Sequence, residues 1–485
     1  MVTSDPESSE RPSSRSGVPA NQLSFPQVTG TNPPRSVYRS ISWSSQRLYR
    51  PYITSAFVVA LTLGFTTGTL MVFLPALGLS VGRIWATHLQ SHGVAQIFGW
   101  AGLFLMGLAF HIVPRIRNTS IAFPWPQRIV LILILLAVCS RFVGQTVTTW
   151  NIHGPLLLTS GMSLAIGLGL FTVVIGSTLW RGTARRGPAE AWLWMSLFWL
   201  VVAAAIYMDT VVQMMSGDPP IAPAPADGAF IHAALVGFIM NFVFGISLRV
   251  IPAFLGLPPL KLNIIRLSLV AVNGGVAITT LGLFTSFVGW VPVWGALLEL
   301  GGFVAFVGGV RLYFHRKKSR NYTLKTYTRY EWYLRASYGW LVVGGSFQLW
   351  NTLVSILPGP FTSANLAAPT LHVFGLGFVT MIIMGMAARM IPIFEGAVLP
   401  MQRLMDAIFV LINASVLLRL GFGIIPTGMG WFGLALSGSL GTLSIACFAL
   451  IIWQTIRHAS RQRYSEIALA FGQQRLASGR SGQDK

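Results

Sequence analysis

Uncharged apolar runs of membrane-spanning length recur along nearly the whole chain. A helix needs roughly 20 such residues to cross a bilayer core. With no water inside, each segment must satisfy its own backbone polar groups. The chain is therefore read as an all-α, polytopic membrane protein. Spans fall near 52–74, 84–113, 128–148, 155–180, 189–214, 228–255, 265–287, 291–314, 330–356, 367–395, 403–423 and 431–456, about twelve in all. Charged residues make up only 10% of the chain, against about 25% in an average soluble domain. Residues 1–50, rich in Ser, Pro and Arg, read as a disordered basic tail. Residues 458–485 read as a second basic tail.

The formal net charge is +21. In a soluble chain this would suggest nucleic acid; between apolar spans it reports topology instead, and no nucleic-acid partner is expected. Arg115 and Arg117, Arg181, Arg185 and Arg186, Lys261, and the run from Arg316 to Arg329 all occupy loops on one side, with both tails. The opposite loops hold Arg83 as their one basic residue, with Asp218 and Asp227. The positive-inside rule then puts both termini in the cytoplasm, in a multi-pass protein of the cytoplasmic (inner) membrane. Cys139 and Cys447 lie inside apolar runs, so neither a disulfide framework nor a Cys-based zinc site is supported.

The chain repeats itself. His232, Gly237, Phe238, Gly245, Arg249, Ile251, Pro252, Phe254 and Gly256 recur 140 positions later as His372, Gly377, Phe378, Gly385, Arg389, Ile391, Pro392, Phe394 and Gly396. Span two carries a weaker copy, with Gly99, Gly107 and Pro114, and with His111 at the arginine position. Glu190 and Trp199 to Val202 recur as Glu331 and Trp340 to Val343. The expected architecture is three parallel four-helix repeats with pseudo-threefold symmetry, about 51–185, 186–325 and 326–457. Spans two, six and ten would then surround the axis.

The first turns of these three spans carry His88 and His92, His232, and His372. Ionisable residues within a membrane are costly and are functional candidates by default, and neutral imidazole ligates haem iron and copper. The alternative is four hydrogen-bonded packing residues, and a repeat can copy a structural histidine. Arg141 and Arg419 sit in the outer halves of spans three and eleven, where haem propionates would be bidentate partners. An internal carboxylate, Asp209 or Glu299, is the competing partner. His111, Arg249 and Arg389 are polar candidates near the inner ends, where snorkelling also accounts for the arginines.

The run from His92 to Trp100, followed by Gly107 and Pro114, resembles the second span of the NnrS family. His372 through Gly377 and Gly385 to Arg389 resembles its tenth-span motif. The resemblance implies a twelve-span protein associated with haem and copper and with the response to nitric oxide. It also implies a distant likeness to the catalytic subunit of haem–copper oxidases. Two departures stand out. Val94 replaces the second histidine of the span-two pair, and Phe394, Glu395 and Gly396 replace a Gly-His pair. Span seven has no histidine, so a binuclear oxygen- or nitric-oxide-reducing centre is not supported.

Three functions compete. The first is a haem-binding, copper-associated protein of nitric oxide response or resistance, with His92, His372, His232 and then His88 as ligand candidates. The second is an oxidoreductase acting on oxygen or nitric oxide with a divergent site. The third is a cofactor-free membrane transporter. The electron donor is not legible.

Overall fold

The computed structural model describes residues 48–480, apart from 83, 148–151, 287–288, 315–326, 358–362 and 425–427. Within helices, the side chains of 363–365, 428 and 461–480 are not described. The expected N-terminal tail therefore lies outside the described residues up to position 47, as do Arg83 and the basic run 315–326.

The described residues form helical rods joined by short loops. They are α1 (Tyr49–Ala76), α2 (Ile84–Ile116), α3 (Pro126–Thr146), α4 (His153–Arg181), α5 (Pro188–Met214) and α6 (Ala224–Leu255). Next come α7 (Leu262–Phe284), α8 (Trp290–Val310), α9 (Tyr330–Val354), α10 (Leu366–Glu395), α11 (Gln402–Ile424) and α12 (Gly428–Arg480). Eleven are long and apolar enough to cross a membrane. The exception is α9, whose first turns carry Glu331 and Arg335 among aromatic residues. The start of α1 is earlier than the apolar run suggests, because Tyr49 and Tyr52 are both buried against neighbouring helices.

Three rods form the centre. The most apolar windows of α2, α6 and α10 are 100%, 89% and 83% buried, while the other spans reach only 22–50%. Each central rod changes from α to π geometry at one level, over Ala95–Gly102, Ala233–Met240 and Val373–Thr380. These three π segments touch one another pairwise, and the Trp100 indole donates to Thr380 Oγ1 across them at 3.1 Å. A fourth π turn, Ala60–Gly64, interrupts α1. Such segments favour functional sites because they redirect backbone carbonyls.

Outer rods approach the central ones at small residues. A Cβ on Gly237 would lie 2.7 Å from Trp199 Cγ, and one on Gly377 would lie 3.0 Å from Trp340 Cβ. Both indoles are fixed by amides, Trp199 to Asn273 at 2.8 Å and Trp340 to Asn413 at 2.9 Å. Neither ring can swing away cheaply. Gly237→Ala should therefore destabilise the protein by about 1–3 kcal/mol, the cost of overpacking a filled core. Gly274→Ala, where an added Cβ meets open space, should stay within about 0.5 kcal/mol. Thermal unfolding in detergent compares the two directly.

Candidate functional site

The starts of α2, α6 and α10 share one end of the protein, called here the histidine end. Each of its imidazoles is fixed by a particular partner. In α1, Gly64 closes the π turn with φ −86° and ψ −107°, well away from helical values. Its carbonyl accepts the Nδ1–H of His92 at 2.8 Å. The imidazole lies against Gly68, where a Cβ would overlap the ring. His372 stands directly before its π segment and donates Nδ1–H to the Ala368 carbonyl at 2.7 Å. A carbonyl can only accept, so Nδ1 carries the proton in both rings and Nε2 keeps its lone pair. That tautomer suits metal ligation, and a fixed Nδ1–H orients the ring. His92 and His372 are electrostatic neighbours of each other and of Arg419.

The other two histidines go elsewhere. His88 donates Nδ1–H to the Ile84 carbonyl at 2.9 Å, and its Nε2 lies 3.4 Å from Thr146 Oγ1. His232 places Nε2 3.0 Å from Glu299 Oε1. Glu299 is fully buried and also accepts from Thr279 Oγ1 at 2.8 Å and Gln348 Nε2 at 2.9 Å. The four histidines thus do not converge. Among the described residues, no three His, Cys, Asp or Glu side chains gather to hold a metal ion.

The two candidate propionate partners keep unused donors. Arg141 is 1% exposed, gives Nε–H to Gln145 Oε1 at 2.8 Å, and stacks over Tyr207 at 5.4 Å. Its Nη1 and Nη2 are buried without a hydrogen-bonding partner, as is Nε of Arg419. Asp227 is an electrostatic neighbour of Arg141 but forms no ion pair with it. Glu299, the carboxylate that competed for these arginines in the sequence, is bound to His232 instead.

At the opposite, basic end the inner candidates separate. Arg249 is exposed. Arg389 lies over the rings of Phe254 at 5.5 Å and Tyr330 at 5.6 Å. His111 is packed between Tyr49 at 5.0 Å and Phe394 at 4.3 Å. Beside it is a group that sequence reasoning missed. Glu395, 2% exposed, accepts from the Tyr49 hydroxyl at 2.5 Å and from Arg50 Nε at 2.6 Å, with a second contact to Arg50 Nη2. A signal was present: an acid in the last turn of a helix opposes the helix dipole and needs compensation. Arg117, read as a loop cation, is also buried. It donates to the carbonyls of Leu179, Gly182 and Ala184 and lies 3.1 Å from Glu190.

Known proteins can be set beside this geometry. The family model described as NnrS protein matches residues 48–463. No curated protein matches the sequence. Among solved structures, the cryo-EM structure of a heme-copper terminal oxidase dimer superposes with a TM-score of 0.63 at 14% identity. The match covers 86% of this chain and 84% of that chain. At that identity the likeness concerns the fold: the helices follow a haem–copper-oxidase-like arrangement.

Proposed function

The chain belongs to the NnrS family, and we propose that it is a haem-binding membrane protein serving nitric oxide response or resistance. One observation carries the reading. His92 and His372, from α2 and α10, both spend Nδ1–H on backbone carbonyls and keep Nε2 lone pairs, beside a shared arginine. His92 and His372 would hold the iron. Arg419, and Arg141 with its unused Nη atoms, would face carboxylates of the porphyrin. When bound, the haem would supply a redox-active iron. The chain's own contribution is to hold both rings in one tautomer and keep water out of the surrounding apolar helices.

The residues present do not fit a copper centre. His232 is committed to Glu299, and no three-ligand group forms among the described residues.

The proposal includes three parallel four-helix units and both termini in the cytoplasm of an inner-membrane protein. The π segments at equivalent places in α2, α6 and α10 support the units, as do the paired Trp–Asn bonds in α5–α7 and α9–α11. The one-sided loop charge supports the orientation.

A visible spectrum with metal analysis of detergent-purified protein tests the function. Protein expressed with ample haem should show a Soret band and bound iron. A haem-replete preparation without a Soret band would overturn the proposal and favour a cofactor-free transporter.

A further inference from the structure

On the basic side of the π segments, the three central helices draw apart around a small cavity. Its walls include Leu105 and Leu108 of α2, Phe242 and Ile246 of α6, and Ile383 and Met386 of α10. The Trp100–Thr380 bond crosses the central helices at the π level, on the histidine side of this space. The cavity measures about 40 Å³. The helix faces record it: Leu105 and Leu108 are each 6% exposed, while Phe104, Met106 and Ala109 on the same helix are fully buried. The space is a partly open gap between three helices, and every residue lining it is less than a tenth exposed.

Its chemistry selects the occupant. A buried water needs two to four polar partners, and apolar cavities lacking them stay dry and take up apolar guests. Ser247 supplies the one hydroxyl in the wall; every other lining side chain is apolar. The volume suits a single small guest and is far too small for an acyl chain. We propose that this axial cavity is a binding site for one small apolar gas molecule, a class that includes dioxygen and nitric oxide. Leu105 is 13 residues beyond His92 on one helix, roughly 20 Å at 1.5 Å per residue. The gas site is thus separate from the His92–His372 pair and does not depend on haem being bound there.

Xenon is the probe, because it is apolar, of similar size and chemically inert. Full-length protein in detergent is titrated with dissolved xenon while the methyl NMR signals of Ile246 and Ile383 are followed. In the wild type both signals should shift and saturate. Leu108→Phe, which fills the space, should abolish the shifts. Leu108→Ala, which enlarges it, should strengthen binding severalfold. Wild-type signals that do not respond to xenon would overturn the proposal. So would shifts that persist unchanged in both variants, or density for an acyl chain or ordered water in the cavity. The spectroscopic test of haem binding stands or falls separately, since xenon uptake needs no iron.

Discussion

Alanine at His92 or at His372 should strip the protein of its haem absorbance. Loss of an outer-shell partner of a metal ligand already costs roughly 10–100-fold in affinity. Loss of a ligand itself should cost at least as much, and the purified variant should retain less than about a tenth of the wild-type Soret intensity. Gly68→Ala gives an independent check. It leaves both histidines in place but pushes a methyl group into the His92 ring, so it should shift or weaken the same band. His232→Ala should leave the band in place, because that ring is bound to Glu299. An unchanged spectrum in both His92→Ala and His372→Ala would remove the ligand assignment.

The second large effect is structural. Glu395→Ala should destabilise the protein by about 3–5 kcal/mol, the cost of breaking a buried ion pair and leaving one partner uncompensated. Glu395 has no exposed side-chain surface, and it joins Tyr49 and Arg50 of the first rod to the end of the tenth. Glu395→Gln keeps an acceptor for Tyr49 and should cost less. Adding Arg50→Ala to Glu395→Ala should restore part of the loss, since the stranded charge is then gone. Unfolding in detergent, followed by near-ultraviolet circular dichroism, measures all three. Equal stability of Glu395→Ala and wild type would show that this contact ties nothing together.

The rods were legible because bilayer physics leaves a clear trace in sequence. The apolar runs located them within a few residues, except that α12 continues as helix to Arg480 through the stretch read as a basic tail. The central burial of α2, α6 and α10 does not follow from apolarity, because outer spans such as α3 and α11 are as apolar and less than half buried. The harder features depend on neighbours far along the chain. No periodicity announces the π turn whose Gly64 carbonyl fixes His92. The histidines of α6 and α10 occupy matching sequence places, yet one meets a carboxylate from α8 and the other a carbonyl of its own helix. Sequence spacing gave their shared level in the helix but could not tell these fates apart. Arg117 lies in the connection after α2, where the charge pattern put it, and it is buried there. The last turn of α4 supplies one carbonyl and the α4–α5 connection two more, and these three hold its guanidinium.

The Tyr49–Glu395 contact spans 346 positions. A ribosome adds roughly 5–20 residues per second, so Tyr49 and Arg50 wait on the order of 17–70 seconds for their partner to be made. During that interval Arg50 lacks its counter-charge. His92 waits almost as long for His372. A chain stopped before His372 therefore carries nine intact helices and neither the clasp nor the histidine pair. The site is complete only once Arg419 on the eleventh rod has been added, so any haem it takes must be delivered late in synthesis or to the finished protein.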